Sequence, residues 1–229
     1  MGAGDCVDIF AADPDLAEGL KPFHGKPPMV GQLVLGRGEW RPAGSPAGWG
    51  LLVVSGFLTR RVELAGRRSA ELLGQGDVLR PFELDSDPWA MVPSQAAWSV
   101  LDPVRLAVLD RRFAEWSGAH PEVVDLLLGR LISRSRTLAL RLALIQLPRI
   151  SARLHFLLWH LADRFGRISP EGVRLSVPLT HTLLADLVSA SRPSVSLALK
   201  QLREHGLLAR TSDQGWLLRG RPPTAAVRM

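Results

Sequence analysis

Residues Thr180–His205, THTLLADLVSASRPSVSLALKQLREH, decide how the rest of the chain is read. The hydroxyl of Thr180 can cap a helix, and Leu179 before it and Leu184 at the fourth helical position are placed as a hydrophobic staple. Leu183, Leu184, Leu187 and Val188 then fall at helical spacing. A tight turn is expected at Ser189-Ala190. A second helix follows, capped by Ser191 or Arg192, with Pro193 in the first turn, where a missing N–H costs nothing. Val195, Leu199 and Leu202 make its apolar stripe, and His205-Gly206 ends it.

Arg192, Ser194, Ser196, Lys200 and Arg203 are left off that stripe. Short polar groups near the start of a helix and cations further along suit entry into a major groove. Downstream, Leu207–Arg210 and Trp216–Arg219 flank Asp213-Gln214-Gly215, a hairpin signal that completes a winged helix-turn-helix. Winged helices also serve as protein-binding modules. The alternative is therefore a small-molecule or protein-binding module whose winged helix no longer reads DNA.

Residues 148–220 resemble the C-terminal domain of the Crp/Fnr transcription regulators, which carry a similar LTH..LADLV.ASRPSVS.AL..L...GLL.R pattern before a hairpin wing. The resemblance implies that Arg192 reads a guanine by bidentate hydrogen bonds and that Ser191 and Ser194 contact phosphates. It also implies that Thr180, His181 and Thr182 meet the DNA backbone. Lys200 is a further phosphate candidate, and Ser196 lies on the same exposed face. Pro193 stands where the best-known members carry a base-reading Glu, and Leu197 where they carry a second Arg. The operator is expected to differ accordingly, with Leu197 placed to touch a thymine methyl. Ser189 stands where a glycine is usual.

The 229 residues suffice for one large or two ordinary domains, and an apolar content of 46% fits a globular protein. Cys6 is the single cysteine, which excludes a disulfide within the chain. No basic N-terminal stretch leads into an apolar run of signal or membrane-spanning length, so a cytoplasmic location is expected. The net charge of +6 is unevenly spread. Residues 1–119 carry 12 Lys+Arg against 15 Asp+Glu, residues 120–179 carry 9 against 4, and residues 180–229 carry 7 against 3. Positive charge therefore gathers in the half that contains the helix pair, as attraction to phosphate requires.

Upstream, a short helix is expected around Asp13–Gly19, then a Pro-rich leader to Pro28 that includes His24. From Met29 to Leu109 come short apolar runs: Val30–Leu35, Gly50–Val54, Phe57–Leu64, Ser69–Leu73, Asp77–Leu79, Ala97–Leu101 and Arg105–Leu109. Short strands with turn signals between them predict an all-β sandwich or roll. Its glycine turns, Ser55-Gly56 and Gly74–Asp77, resemble those of the Crp/Fnr β-roll. That family's cyclic-nucleotide cassette pairs Gly-Glu with a later Arg followed by Ser or Thr. This chain reads Val78-Leu79-Arg80-Pro81-Phe82-Glu83 and Pro93–Trp98 instead, so cyclic AMP binding in the usual manner is not expected. Arg80 is a substitute anion ligand or a solvated turn residue. Trp40, Trp49, Trp89 and Trp98 are core and rim residues or the lining of an effector pocket, with Arg80, Trp89 and Trp98 the effector candidates. One cysteine cannot hold an iron–sulfur cluster, and no histidine lies between His24 and His120 to ligate haem, so no cofactor is expected.

Residues 121–147 lack an internal proline and place Leu128, Leu131, Ser135, Leu138, Leu142 and Ile145 at alternating three- and four-residue steps, a coiled-coil-like seam. Arg130, Arg134, Arg136 and Arg141 flank it, and Gly129 weakens it by up to about 1 kcal/mol. The resemblance implies a dimer interface here; an amphipathic helix packed on its own roll is the alternative. Pro148 ends the helix, residues 149–165 form another with Ile150, Leu154, Leu157, Leu158 and Leu161 on its apolar face, and Val173–Val177 read as a strand. His155 and His160 lie five apart and do not share a face as metal ligands would, so no metal site is expected. The expected fold class is thus α+β: a β-roll over 1–119, a dimerisation helix over 120–147, a winged helix-turn-helix over 148–220 and a tail over 221–229. No nucleophile–base, metal or phosphate-loop constellation marks an enzyme. Expected partners are double-stranded DNA with a palindromic operator, a second copy, RNA polymerase as a contact of such regulators, and an unidentified small-molecule effector.

Overall fold

The computed structural model describes residues 6–9, 28–42, 48–81, 95–212 and 215–223. The strands of the first part are β1 (Cys6–Asp8), β2 (Met29–Leu35), β3 (Gly38–Trp40), β4 (Gly50–Leu64), β5 (Arg67–Leu73), β6 (Val78–Leu79) and β7 (Gln95–Leu109). Helices α1 (Arg111–Ser117), α2 (Pro121–Ile145) and α3 (Ile150–Phe165) follow. Then come β8 (Gly166–Ser169), β9 (Gly172–Leu175), α4 (His181–Val188), α5 (Arg192–Glu204), β10 (Leu208–Arg210) and β11 (Trp216–Leu218). Two compact units emerge from the contacts: one up to Arg136 without Arg68–Ala70, the other from Thr137 onward with those three residues. Their boundary falls inside α2.

The first unit is built on one antiparallel sheet of order β1-β2-β7-β4-β5, with β3 on β7 and β6 on β4. The pairs expected as separate strands, Gly50–Val54 with Phe57–Leu64 and Ala97–Leu101 with Arg105–Leu109, are instead the single long strands β4 and β7. Gly56, read as turn punctuation, is a bulge residue: φ is +85° and a Cβ there would meet the Pro103 carbonyl. The β4–β7 register slips at three places between Val53 and Leu58. Pro103 is tolerated because β7 changes partner beside it, pairing β3 through Val100 and β2 from Val104 onward. The Gly74–Asp77 turn is tied to β4 by Gly76 N–H donating to the Val53 carbonyl and Val53 N–H to that of Asp77.

Alternate strand faces bury two clusters. Leu52, Val54, Ala107 and Leu109 pack with Phe113 of α1 and with Val123 and Leu127 of α2. Leu58, Leu73, Leu79, Trp98, Val100 and Leu106 form the second. Trp98 is thus a core residue, in edge-to-face contact with Trp40 at 5.7 Å between ring centres. Trp49 donates its indole N–H to Ser117 Oγ and pins α1, a helix the sequence reading missed. Arg80 is exposed. Trp89, His24, the Asp13–Gly19 helix and residues 82–94 lie outside the described residues, while β1 occupies part of the expected leader.

Helix α2 serves its own roll and leaves a stripe over. Val123, Leu127 and half-buried Leu131 face the first cluster, so Leu131 packs within its own chain. Leu128, Ile132, Leu138 and Leu142 are exposed, Leu142 at 65%. Arg134 does not flank the seam in solvent: it grips Glu71 through two hydrogen bonds of 2.6 and 2.8 Å and donates to the Val78 carbonyl. Both side chains are largely buried, and the Glu71 contact raises the Arg134 pKa above its ordinary value. Replacing Arg134 by Met would strand the Glu71 carboxylate, with an expected loss of about 3 kcal/mol in urea-induced unfolding of the full chain. R134M/E71L should recover most of that loss, since a buried pair contributes little over an apolar replacement.

Candidate nucleic-acid interface

Helix α4 starts where the sequence predicts. Thr180 is its N-cap, its Oγ1 accepting from Leu183 N–H at 3.1 Å, and Leu183, Leu184, Leu187 and Val188 are buried. Ser191 caps α5, with Oγ accepting from Ser194 N–H, and Pro193 occupies the first turn. The stripe Val195, Ala198, Leu199 and Leu202 packs inward, and Gly206 takes φ +70° beyond the C-cap His205. Both helices end at defined points, so the angle between them depends on residues 188–191.

That joint is held by groups no local pattern reveals. Ser189 is left-handed, at φ 53° and ψ 55°, a conformation that is strained for a residue with a Cβ. Its N–H and that of Ala190 return to the Ala185 carbonyl. The carbonyls at the end of α4 are taken by arginines: Arg141 donates to Leu187, and Arg153 to Val188 and Ser189 while its Nε holds Leu147. Cations at a helix C-terminus also complement its dipole. Arg141, expected to flank the seam, is therefore turned toward its own unit. Helix α2 stops at Ile145, three residues before the Pro148 expected to end it.

The expected hairpin wing is part of a four-stranded sheet of order β10-β11-β9-β8. β8 was not foreseen, and β9 ends at Leu175 rather than Val177. Asp213 and Gln214 lie outside the described residues. Arg210 stacks on the Trp216 ring, its guanidinium carbon 3.6 Å from the ring centre.

The outward face of α5 carries Arg192, Pro193, Leu197, Lys200 and Arg203, all exposed, with Leu197 at 58%. Ser194 and Leu197 line a groove of about 760 Å³ together with Arg149, Ser151 and Gln201. Thr182 is exposed on α4. The hydroxyls of Thr180 and Ser191 are engaged as caps, and that of Ser196 donates to the Arg192 carbonyl and is hydrogen-bonded to His181 Nδ1 at 2.8 Å. Lys200 stands 3.7 Å from Glu204 in a solvent-exposed pair, which is worth too little to withhold it from another anion. Burial, Arg210 and Arg192 lower the pKa of His181. His155 is buried, accepts the Trp159 indole N–H on Nε2, and burial lowers its pKa below the ordinary histidine value. Among the described residues no group of acidic, histidine or cysteine side chains could hold a metal ion. No described helix is long and apolar enough to cross a membrane. The arginines acting on the α4–α5 joint, and Arg210, were missed; only the Arg at the end of the GLL.R pattern carried a hint.

Two capped helices across a tight turn, an inward stripe, a polar outward face and a strand pair beside them define a winged helix-turn-helix DNA-binding domain. Comparison with known proteins agrees. Residues 152–220 match the family described as Crp-like helix-turn-helix domain. The chain is 27% identical over 166 residues to a CRP-like cAMP-activated global transcriptional regulator of Mycobacterium tuberculosis, covering 71% of this chain and 72% of that protein. It is 28% identical over 95 residues to a global nitrogen regulator of Synechocystis sp., 42% of each chain. In fold it resembles FixK2 from Bradyrhizobium japonicum, with a TM-score of 0.65 at 19% identity over 86% of this chain and 99% of that one. A CooA variant from Carboxydothermus hydrogenoformans gives 0.66 at 16% identity over 93% and 91%. Residues 152–220 thus form a Crp-like helix-turn-helix domain, and the relatives that the chain resembles over most of its length are transcription regulators of the CRP type.

Relieving the left-handed serine should be favourable. Ser189→Gly is expected to raise the stability of the full chain by about 0.5 kcal/mol in chemical unfolding, the strain removed exceeding the entropy added to the unfolded chain.

Proposed function

We propose that the chain is a homodimeric, sequence-specific regulator that binds a palindromic operator in the cytoplasm and contacts RNA polymerase. The observation that carries this reading is the outward face of α5, where Arg192 is exposed at a helix start capped by Ser191. Arg192 would read a guanine, Leu197 a thymine methyl, and Pro193 would remove a reader that relatives have at that place. Ser194, Thr182 and Lys200 would meet phosphates, with the engaged hydroxyls of Thr180, Ser191 and Ser196 holding the helix starts in position.

The dimer would form through Leu128, Leu138 and Leu142 of α2, which the single chain leaves exposed, with Ile145 at the end of the seam. In this reading residues 1–119 form the sensor-like domain, 120–147 the dimerisation helix and 148–220 the DNA-binding domain. The cAMP activation named for the Mycobacterium tuberculosis relative is not carried over, because Val78–Glu83 and Pro93–Trp98 lack the residues that would hold the cyclic phosphate. Any effector would meet Arg80 at the surface rather than Trp98, which the core employs.

Selection of duplexes from a random pool should return a palindrome with half-sites about 34 Å apart. Arg192→Ala should weaken that duplex by about 1–3 kcal/mol and relax one position of each half-site. Equal weakening on random DNA would overturn the base-reading role. Leu142→Glu should shift the sedimenting species from dimer to monomer and weaken operator binding with it.

A further inference from the structure

His181 is the first residue of α4, and Ser196 of α5 fixes the chemistry of its ring. Ser196 Oγ lies 3.1 Å from the Arg192 carbonyl and 2.8 Å from His181 Nδ1; with its hydrogen on the carbonyl, it accepts from Nδ1. In that arrangement Nδ1 carries a hydrogen in both charge states. The titrating proton belongs to Nε2, a lone pair when the ring is neutral and a donor when it is charged. The charged groups acting on this ring are Arg192 at the head of α5 and Arg210 at the end of β10, which with burial favour the neutral form. Arg210 is held in place by its stacking on Trp216, and Arg203 of α5 acts on it in turn. Cations of a helix start and of the wing thus bear on one point of the DNA-binding unit.

We propose that His181 and Arg210 together form a phosphate-binding locus that takes up a proton when duplex DNA binds. This rests on the DNA-binding reading and adds a wing residue and a proton to it. A phosphodiester oxygen at Nε2 needs a donor there, and the phosphodiester itself is ionised throughout, so the proton comes from solvent and goes to the imidazole. The phosphate also answers the repulsion between the ring and the two arginines. In the free protein the His181 pKa lies below its ordinary value of about 6.5, and in the complex it lies higher. Proton uptake is confined to the window between the two values. Affinity is fully enhanced below the free-protein pKa, and the enhancement is lost as pH rises through that of the complex.

The test uses the full chain and a duplex of about 40 base pairs that it selects from a random pool, long enough for two half-sites. Binding is followed calorimetrically between about pH 5.5 and pH 8, across the ordinary histidine range, in buffers of different ionisation enthalpy. The wild type should take up a proton at each half-site, its affinity rising by up to about tenfold per pH unit for each half-site within the window. His181→Asn, which keeps a donor toward Ser196 but cannot take up a proton, should show correspondingly less uptake and a flatter profile. Arg210→Ala should reduce the magnitude of the slope of log affinity against log salt by about two, about one for each protomer, on selected and random duplexes alike. Absence of uptake by the wild type, uptake undiminished in His181→Asn, or an unchanged salt slope in Arg210→Ala would each overturn the proposal. If the chain selects no duplex at any pH, the regulator reading fails first and takes this inference with it.

Discussion

The carbonyls that close α4 face two guanidinium groups, Arg141 from α2 and Arg153 from α3, and the reading head depends on that arrangement. A helix pair presents a side chain to a base edge only if the angle between its helices is held. Here the angle passes through a left-handed serine that has no intrinsic preference for its conformation. The arginines supply what the local chain lacks: charge-assisted hydrogen bonds to groups that would otherwise be left at a helix end. Their partners are main-chain oxygens, so the restraint is independent of the side chains of the turn.

Basic residues in this chain have two distinct employments. Arg134, Arg141 and Arg153 satisfy acceptors of their own units. Arg192, Lys200 and Arg203 stand on the exposed face of α5. The net charge of the sequence does not separate these groups. The field felt by an approaching polyanion comes chiefly from the second, since charges already satisfied in part-buried sites contribute less to it.

What could be read from the residues followed from local chemistry. Thr180 and Ser191 act as caps through a hydroxyl and an N–H three residues on, Val195, Leu199 and Leu202 share a face through helical geometry, and Gly206 ends α5 where no side chain is wanted. The β-roll was legible as short apolar runs, but its strand count was not. Gly56 and Pro103 look like breaks, yet each is accommodated within a long strand by what lies across from it, which no window along the chain contains. The same holds for Arg141 and Arg153, whose partners are 46 and 35 residues away. Leu131 was assigned to the seam on spacing and packs on its own roll instead, because one helix carries two apolar faces and periodicity does not say which is already covered.

Leu197 brings an apolar group onto a face otherwise made of charge and hydroxyl. Contact between such a side chain and a thymine methyl releases water rather than counterions, so added salt leaves it nearly untouched while phosphate contacts weaken. Its signature is a negative heat-capacity change, and its strength grows on warming from the cold, where hydrophobic association is weakest. Discrimination at that base pair and overall grip on the duplex would then answer to different conditions, temperature for one and ionic strength for the other.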